Sequence, residues 1–282
     1  MRIGFLGYGE AARAFHAGLG GPALAHDRLL DADTGAMRAA MLERGASPVA
    51  LAGLAEADWI FSAVTADQSL VAVTSLLAHL RPGQLLIDIN SVSPERKRET
   101  ATAVTATGAT YLDMAVMAPV HPKGHATPVL LAGASADDLL PALLALGFDA
   151  RVVGSAPGAA TAIKMVRSLF VKGLEAITVE TLLAAEASDC FEEIYASLSV
   201  SFPGLDWDRF AGYQLERTTR HGHRRAAEMR ESGATLHALG LHGDLAREIA
   251  AVQDAMGDVG PTAGATLAET VQAVLARRGR RH

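Results

Sequence analysis

The chain has 282 residues, half of them hydrophobic and a fifth charged, with a formal net charge of -6 and a pI near 5.9. This size allows two domains with sizeable cores, and the acidic balance excludes the broad basic face of a nucleic-acid binder. A single cysteine, Cys190, excludes an intrachain disulfide and any multi-cysteine zinc site, and no apolar run reaches the roughly 20 residues of a membrane span. The expectation is a cytoplasmic protein of a reducing compartment, with neither nucleic acid nor membrane as partner. The basic run Arg277 to His282 reads as a solvated tail.

The first predicted strand, Ile3 to Leu6, runs straight into Gly7-Tyr8-Gly9-Glu10-Ala11-Ala12 and then a helix. This Gly-x-Gly-x-x-Ala turn suits a dinucleotide: Gly7 permits the tight turn, Gly9 admits a pyrophosphate close to the backbone, and Ala12 allows helix and strand to pack closely. The loop residues Gly7, Tyr8, Gly9, Glu10 and Ala11 are therefore candidate cofactor contacts, with the first amides of the helix facing the phosphates. Further apolar runs follow at Leu24 to Asp27, Trp59 to Val64, Leu85 to Ile89, Tyr111 to Met114, Val129 to Ala132 and Ala150 to Val153. Amphipathic stretches lie between them, among them Thr34 to Arg44, Gln68 to Leu80 and Pro94 to Thr107. Strands alternating with helices predict an α/β Rossmann domain, a parallel doubly wound sheet, over residues 1–156. From Pro157 the strand-like runs stop, and residues 157–282 read as an all-helical domain.

At the end of the second run, Asp27 stands where an acidic residue meets the adenine ribose, which favours NAD, while Arg28 beside it suits the 2′-phosphate of NADP. Asp27 equally suits a strand-terminal turn. Val64, Thr65 and Gln68 follow the third run, and Asn90 and Ser91 the fourth, at strand ends where cofactor contacts or helix caps are both expected. Ser93 before Pro94 reads as such a cap. The histidines lack a ligand spacing, so no metal is expected.

Past Gly158, the residues Lys164, Arg167, Ser168, Lys172 and Glu175 fall at offsets of 0, 3, 4, 8 and 11, one narrow polar stripe on an otherwise apolar helix. Polar groups in apolar surroundings cost stability unless they are solvated or functional, and burial lowers the pKa of a lysine toward the range of an acid/base catalyst. Lys164 is thus the candidate catalytic residue. Five ionisable residues crowd Arg220 to Arg225; His221 and Arg224 among them could close over an anion, or the group could be a solvated face partnered by Glu228 and Glu231.

The opening fingerprint, Asn90-Ser91-Val92-Ser93-Pro94, Leu112-Asp113-Met114-Ala115-Val116 and Lys164-Met165-Val166-Arg167-Ser168 occur in an order and spacing that resemble the β-hydroxyacid dehydrogenase family, which includes 3-hydroxyisobutyrate and 6-phosphogluconate dehydrogenases. The resemblance covers roughly the first 180 residues. It implies a Rossmann domain followed by a helical one, NAD or NADP as cofactor, and Lys164 as the catalytic lysine acting on a small anionic substrate. Two departures stand out. Ser168, the second catalytic-site candidate and the residue that would orient the substrate, replaces the family's substrate-fixing asparagine four residues after the lysine, with shorter reach and a single donor. Met117-Ala118-Pro119 replaces the family's Ser-Gly-Gly, and Pro119 has no amide hydrogen to offer a carboxylate. In that loop His121 and Lys123 could supply the contacts instead, with Arg167 on the helix. The loop and the Thr218 to Met229 segment look like a subgroup of phosphogluconate-dehydrogenase-like proteins whose C-terminal domain has no assigned function. The resemblance also implies a homodimer, covering the Ala- and Leu-rich segments from Leu236 to Leu275.

Two other readings stand beside this one. Imine reduction uses a similar architecture, but Lys164 argues against it because lysine is not typical there. A non-catalytic dinucleotide-binding regulator would keep cofactor binding without hydride transfer.

Overall fold

The computed structural model describes residues 1–31 and 35–279; Thr34 of the expected second helix and Arg280, Arg281 and His282 of the basic run lie outside the described residues. The chain divides into two compact units, Met1–Lys164 and Met165–His282. The division falls inside one long helix rather than in the Gly154 to Gly158 turn.

Among the described residues the first unit holds an eight-stranded sheet. Its strands are β1 (Ile3–Leu6), β2 (Ala23–His26), β3 (Ala46–Pro48), β4 (Trp59–Ser62), β5 (Leu85–Asp88), β6 (Thr110–Val116), β7 (Val129–Ala132) and β8 (Ala150–Gly154), in the order β3-β2-β1-β4-β5-β6-β7-β8. Helices α1 (Glu10–Leu19), α2 (Ala36–Leu42), α3 (Ser69–Leu76), α4 (Pro94–Thr105) and α5 (Ala136–Ala145) connect them. Side chains alternate across the sheet: Phe5, Phe61 and Ile87 join Phe15 on one face, while Ile60 and Leu86 join Leu76 and Val104 on the other. Strand order reverses at β1, flanked by β2 and β4, and such a switch point opens a crevice at the carboxyl ends of the strands.

The sheet departs from the all-parallel expectation at one place. β7 runs antiparallel to β6, because the chain turns back through residues 117–128 without a crossover helix. β3 escaped the apolar-run reading: it is a three-residue edge strand ending in Pro48, and an edge tolerates proline's missing donor. Gln68 to Leu80 is α3 flanked by the 3-10 turns Ala66–Gln68 and Leu77–His79. Ser93 caps α4 as expected, its hydroxyl accepting from the Arg96 amide, with Pro94 in the first turn.

α6 (Ala159–Ala187) runs on into the second unit, which is otherwise α7 (Phe191–Ser201), α8 (Trp207–Ala238), α9 (Asp244–Val259) and α10 (Leu267–Arg278). Asp206 caps α8, and Thr266 with Glu269 forms a capping box on α10. Val179 and Leu182 of α6 pack with Leu215, Met256 and Val274; Ala226 and Met229 pack with Ile249 and Ala250. α8 and α9 cross closely at Gly222, where a Cβ would run into the Gln253 carbonyl and the Gly257 backbone. Leu236, Met256, Val259, Val271 and Val274 are buried in this way within the unit, so much of the Leu236 to Leu275 apolar surface is covered without a partner.

Candidate active site

The glycine loop has the geometry of an anion cradle. Gly7 has φ +85° and donates its amide to the His26 carbonyl at 2.8 Å; a Cβ there would sit 2.7 Å from the Ala63 carbonyl oxygen. Gly9 is exposed, a Cβ on it would meet no atom within 4 Å, and α1 starts there without a side-chain cap. Open space before uncapped helix amides fits a pyrophosphate. Glu10 is exposed and Ala11 half-buried at the first turn. Tyr8 points the other way: its ring is fully buried, its hydroxyl lies 2.6 Å from His16 Nδ1, and burial pushes its pKa up. Only its backbone remains in the loop, so Tyr8 does not offer a cofactor its side chain.

Asp27 fastens this loop. Its carboxylate accepts from the Tyr8 amide at 2.8 Å and from the Leu29 amide at 3.0 Å, capping the 3-10 turn Arg28–Leu30. The carboxylate therefore fills the turn role the sequence left open, while still standing at the end of β2 beside the exposed Arg28. Asn90 is likewise internal: it is buried, its Oδ1 accepts from the Val64 amide at 2.7 Å and its Nδ2 donates to Ser62 Oγ at 2.9 Å, tying the ends of β4 and β5 together. Thr65 is exposed and Gln68 half-buried; both hydrogen-bond Asp67 and hold its carboxyl below the usual range, Thr65 most strongly.

Ser91 and Lys164, distant in sequence, meet. Lys164 Nζ donates to Ser91 Oγ at 2.5 Å, at the carboxyl end of β5. The helix that carries Lys164 is set by Asp113, a fully buried carboxylate in β6 that accepts from the Gly158 amide at 3.0 Å, the Thr161 amide at 3.1 Å and the Thr161 hydroxyl at 2.9 Å. It caps the start of α6 from another element, where the helix dipole favours negative charge. Behind it Lys97, fully buried, reaches Asp88 Oδ1 at 3.0 Å, the Asp88 carbonyl at 2.7 Å and Asp113 Oδ1 at 3.4 Å. The Tyr111 hydroxyl donates to Asp88 Oδ2 at 2.8 Å, and burial, then the charges of Asp88 and Asp113, push its pKa well up. Sequence reading missed this cluster; the available signal was a charged residue, Asp113, inside an apolar strand.

The loop after β6 leaves Met117 half-buried and Ala118, Pro119, His121 and Lys123 exposed, with a cis peptide before Pro122. His125 turns inward, its Nε2 3.0 Å from the Leu146 carbonyl and its ring edge-on to Phe148.

In the helical unit the polar stripe separates. Arg167 is exposed, whereas Ser168, Lys172 and Glu175 are buried. Lys172 Nζ donates to Ser168 Oγ at 3.1 Å and pairs with Glu228 Oε2 at 2.9 Å; burial lowers its pKa. Glu175 forms a fork with Arg225 and accepts from Gln253 Nε2 at 2.9 Å. The Arg220 to Arg225 group is thus divided: Arg225 is internal, the exposed Arg224 pairs with Glu228 at 2.7 Å, Arg220 pairs with Glu216 and His223 faces Asp254, while His221 is half-buried. The helix-partner reading accounts for Arg224, with Glu228 as its partner. No cluster of metal-ligating side chains occurs among the described residues, nor any helix there long and apolar enough to cross a membrane.

Comparison with known proteins matches residues 25–162 to the NAD binding domain of 6-phosphogluconate dehydrogenase and residues 185–256 to a domain of unknown function, DUF1932. No curated protein matches the chain significantly in sequence. Among solved structures, a conserved hypothetical protein from Sinorhizobium meliloti 1021 is 35% identical over 100% of this chain and 96% of its own, with a TM-score of 0.76. The conserved protein MTH1747, described as structurally similar to 3-hydroxyacid dehydrogenases, is 28% identical over 92% and 97%, with a TM-score of 0.70. The 3-hydroxyisobutyrate dehydrogenase of Mycobacterium tuberculosis shares the fold at 19% identity over 97% and 98%, with a TM-score of 0.69.

Proposed function

The chain belongs to the β-hydroxyacid dehydrogenase family, with an NAD-binding domain followed by the DUF1932 domain, and on that premise we propose that it is a nicotinamide-dependent oxidoreductase interconverting a hydroxyl and a carbonyl on a small anionic substrate. The observation that carries this reading is the placement of Lys164 Nζ on Ser91 at the carboxyl end of β5, in the same unit as the open glycine loop. In the oxidative direction the substrate O–H proton passes to Lys164 Nζ, and in reduction it returns. The nicotinamide, when bound, takes or delivers the hydride. Ser91 fixes the amine, and Asp113 fixes the helix bearing it. Asp27 supports NAD and the exposed Arg28 supports NADP.

Support for a homodimer comes from α6: Val166, Phe170, Leu174 and Ile177 are exposed at helical spacing, and such a stripe is normally covered. Sedimentation of the wild type against Phe170→Glu tests it.

The function is tested by titrating NAD, NADH, NADP and NADPH into wild type and Lys164→Ala, then screening hydroxyacids and aldehyde acids for hydride transfer. Lys164→Ala is expected to bind cofactor as wild type does and to lose about 100- to 10,000-fold in rate. A full rate without Lys164 refutes its role, and binding of none of the four nucleotides refutes the reading itself.

A further inference from the structure

Tyr8 carries the one side chain between the two glycines of the loop, and each of its polar groups is held. Its amide donates to Asp27 Oδ2 at 2.8 Å, its carbonyl accepts from Arg13 Nε at 2.9 Å, and its hydroxyl lies 2.6 Å from His16 Nδ1 in α1. The ring packs edge-on to Phe5 of β1, with the Arg13 guanidinium 5.9 Å from its centre. His16 is 2% exposed, and its Nε2 lies 3.0 Å from the Gly21 carbonyl, in the turn before β2. A carbonyl can only accept, so Nε2 carries the proton there; in a neutral imidazole Nδ1 is then the acceptor, and the Tyr8 hydroxyl donates to it. Burial pushes the Tyr8 pKa up, so the hydroxyl keeps the proton it donates. The direction of each hydrogen bond from Tyr8 through His16 to Gly21 is therefore fixed.

We propose that His16 is a positioning residue for the diphosphate of the nucleotide: by anchoring the Tyr8 hydroxyl it holds the Gly7 to Gly9 backbone open before the ligand arrives, although it is itself too enclosed to touch the ligand. This rests on the dinucleotide-binding half of the reading above. Gly7 and Gly9 have no side chains to brace the loop, and a Cβ on Gly9 would meet nothing within 4 Å. Glycines lose more conformational freedom on ordering than other residues, so a loop built on two of them binds weakly unless something else has already ordered it. Asp27 and Arg13 hold the Tyr8 backbone, and His16 holds the far end of its side chain in the core, which sets how deeply the ring is seated and hence where the backbone between the glycines runs.

The test titrates ADP-ribose, and whichever nicotinamide dinucleotide binds, into full-length wild type, Tyr8→Phe, His16→Leu, His16→Asn, His16→Gln and Tyr8→Phe/His16→Leu. An asparagine places its Oδ1 near the position of histidine Nδ1 and so keeps an acceptor for Tyr8, whereas a glutamine places its Nε2 near histidine Nε2 and keeps only the donor to Gly21. Tyr8→Phe, His16→Leu and His16→Gln are each expected to bind about three- to tenfold more weakly than wild type, and the Phe/Leu pair no more weakly than either single variant. His16→Asn is expected to recover most of the loss. A pair that only packs the core lowers the urea midpoint and leaves these affinities within twofold of wild type, and that result overturns the proposal, as does a glutamine that rescues as well as asparagine. Tyr8→Phe binding as wild type does overturns it alone, whether or not the His16 variants fold. Either outcome leaves the oxidoreductase reading in place; wild type that binds neither ADP-ribose nor any dinucleotide removes both.

Discussion

Replacing Asp113 by asparagine removes a charge on which four donors converge: the amides of Gly158 and Thr161, the Thr161 hydroxyl and the Lys97 ammonium. The isosteric amide keeps one acceptor oxygen and turns the other into a donor, so either the α6 amides or the Lys97 side of the cluster loses its partner. A hydrogen bond to a charged group contributes about 1.5–3 kcal/mol, and breaking a buried ion pair costs about 3–5 kcal/mol, which sets the expected loss at about 3–5 kcal/mol. The two tryptophans allow this to be read by unit: Trp59 lies in β4 and Trp207 at the start of α8. In a Trp207→Phe background, urea unfolding followed at Trp59 isolates the nucleotide-binding unit. With a slope of about 2 kcal/mol/M the midpoint should fall by about 2 M. A midpoint shift below about 0.3 M at unchanged slope refutes the argument that Asp113 anchors α6.

Arg225→Met leaves Glu175 buried with, among the described residues, only Gln253 as a hydrogen-bond donor and should cost the helical unit about 3–5 kcal/mol by Trp207 fluorescence, whereas Arg225→Met/Glu175→Leu should recover most of that loss; a double variant as unstable as the single refutes it. Tyr111 supplies a pH dependence. Its folded pKa lies above the ordinary 10.0, so above that pH the unfolded chain releases a proton the folded one retains, and the contribution, fully present below pH 10.0, is lost as pH rises through the folded value. The unfolding free energy read at Trp59 should therefore fall more steeply between pH 9.5 and 11 in wild type than in Tyr111→Phe, by roughly 1 kcal/mol per pH unit; parallel curves refute it.

Much of the first unit was legible because its signals are local. Ile3 to Leu6 and Val129 to Ala132 are strands as read, and Ser93-Pro94 starts a helix as read, since four apolar residues in a row or a cap before a proline act within a few positions. β3 was not legible: its three residues become a strand only by pairing with β2. The direction of β7 was equally hidden, because its composition suits either orientation and the return loop decides. Within the site, Lys164 was found from its stripe, but Lys97 was not. It stands in Glu95-Arg96-Lys97-Arg98, a run that reads as a solvated helix face, and only docking of α4 against the sheet encloses it between Asp88 and Asp113.

Sequence alone determined the succession of the other strands and helices of the first unit, the glycine turn and the family's lysine, because each is written in neighbouring residues whose backbone preferences and periodicity need no distant partner. Tertiary structure decided which charges are buried and whom they face: Asp27 on the glycine loop, Asp113 on the start of α6, Lys172 on Ser168 and Glu228, Arg225 on Glu175. Most of those pairs join residues 19 to 56 positions apart, and a buried charge is tolerated only where the folded chain brings it a partner.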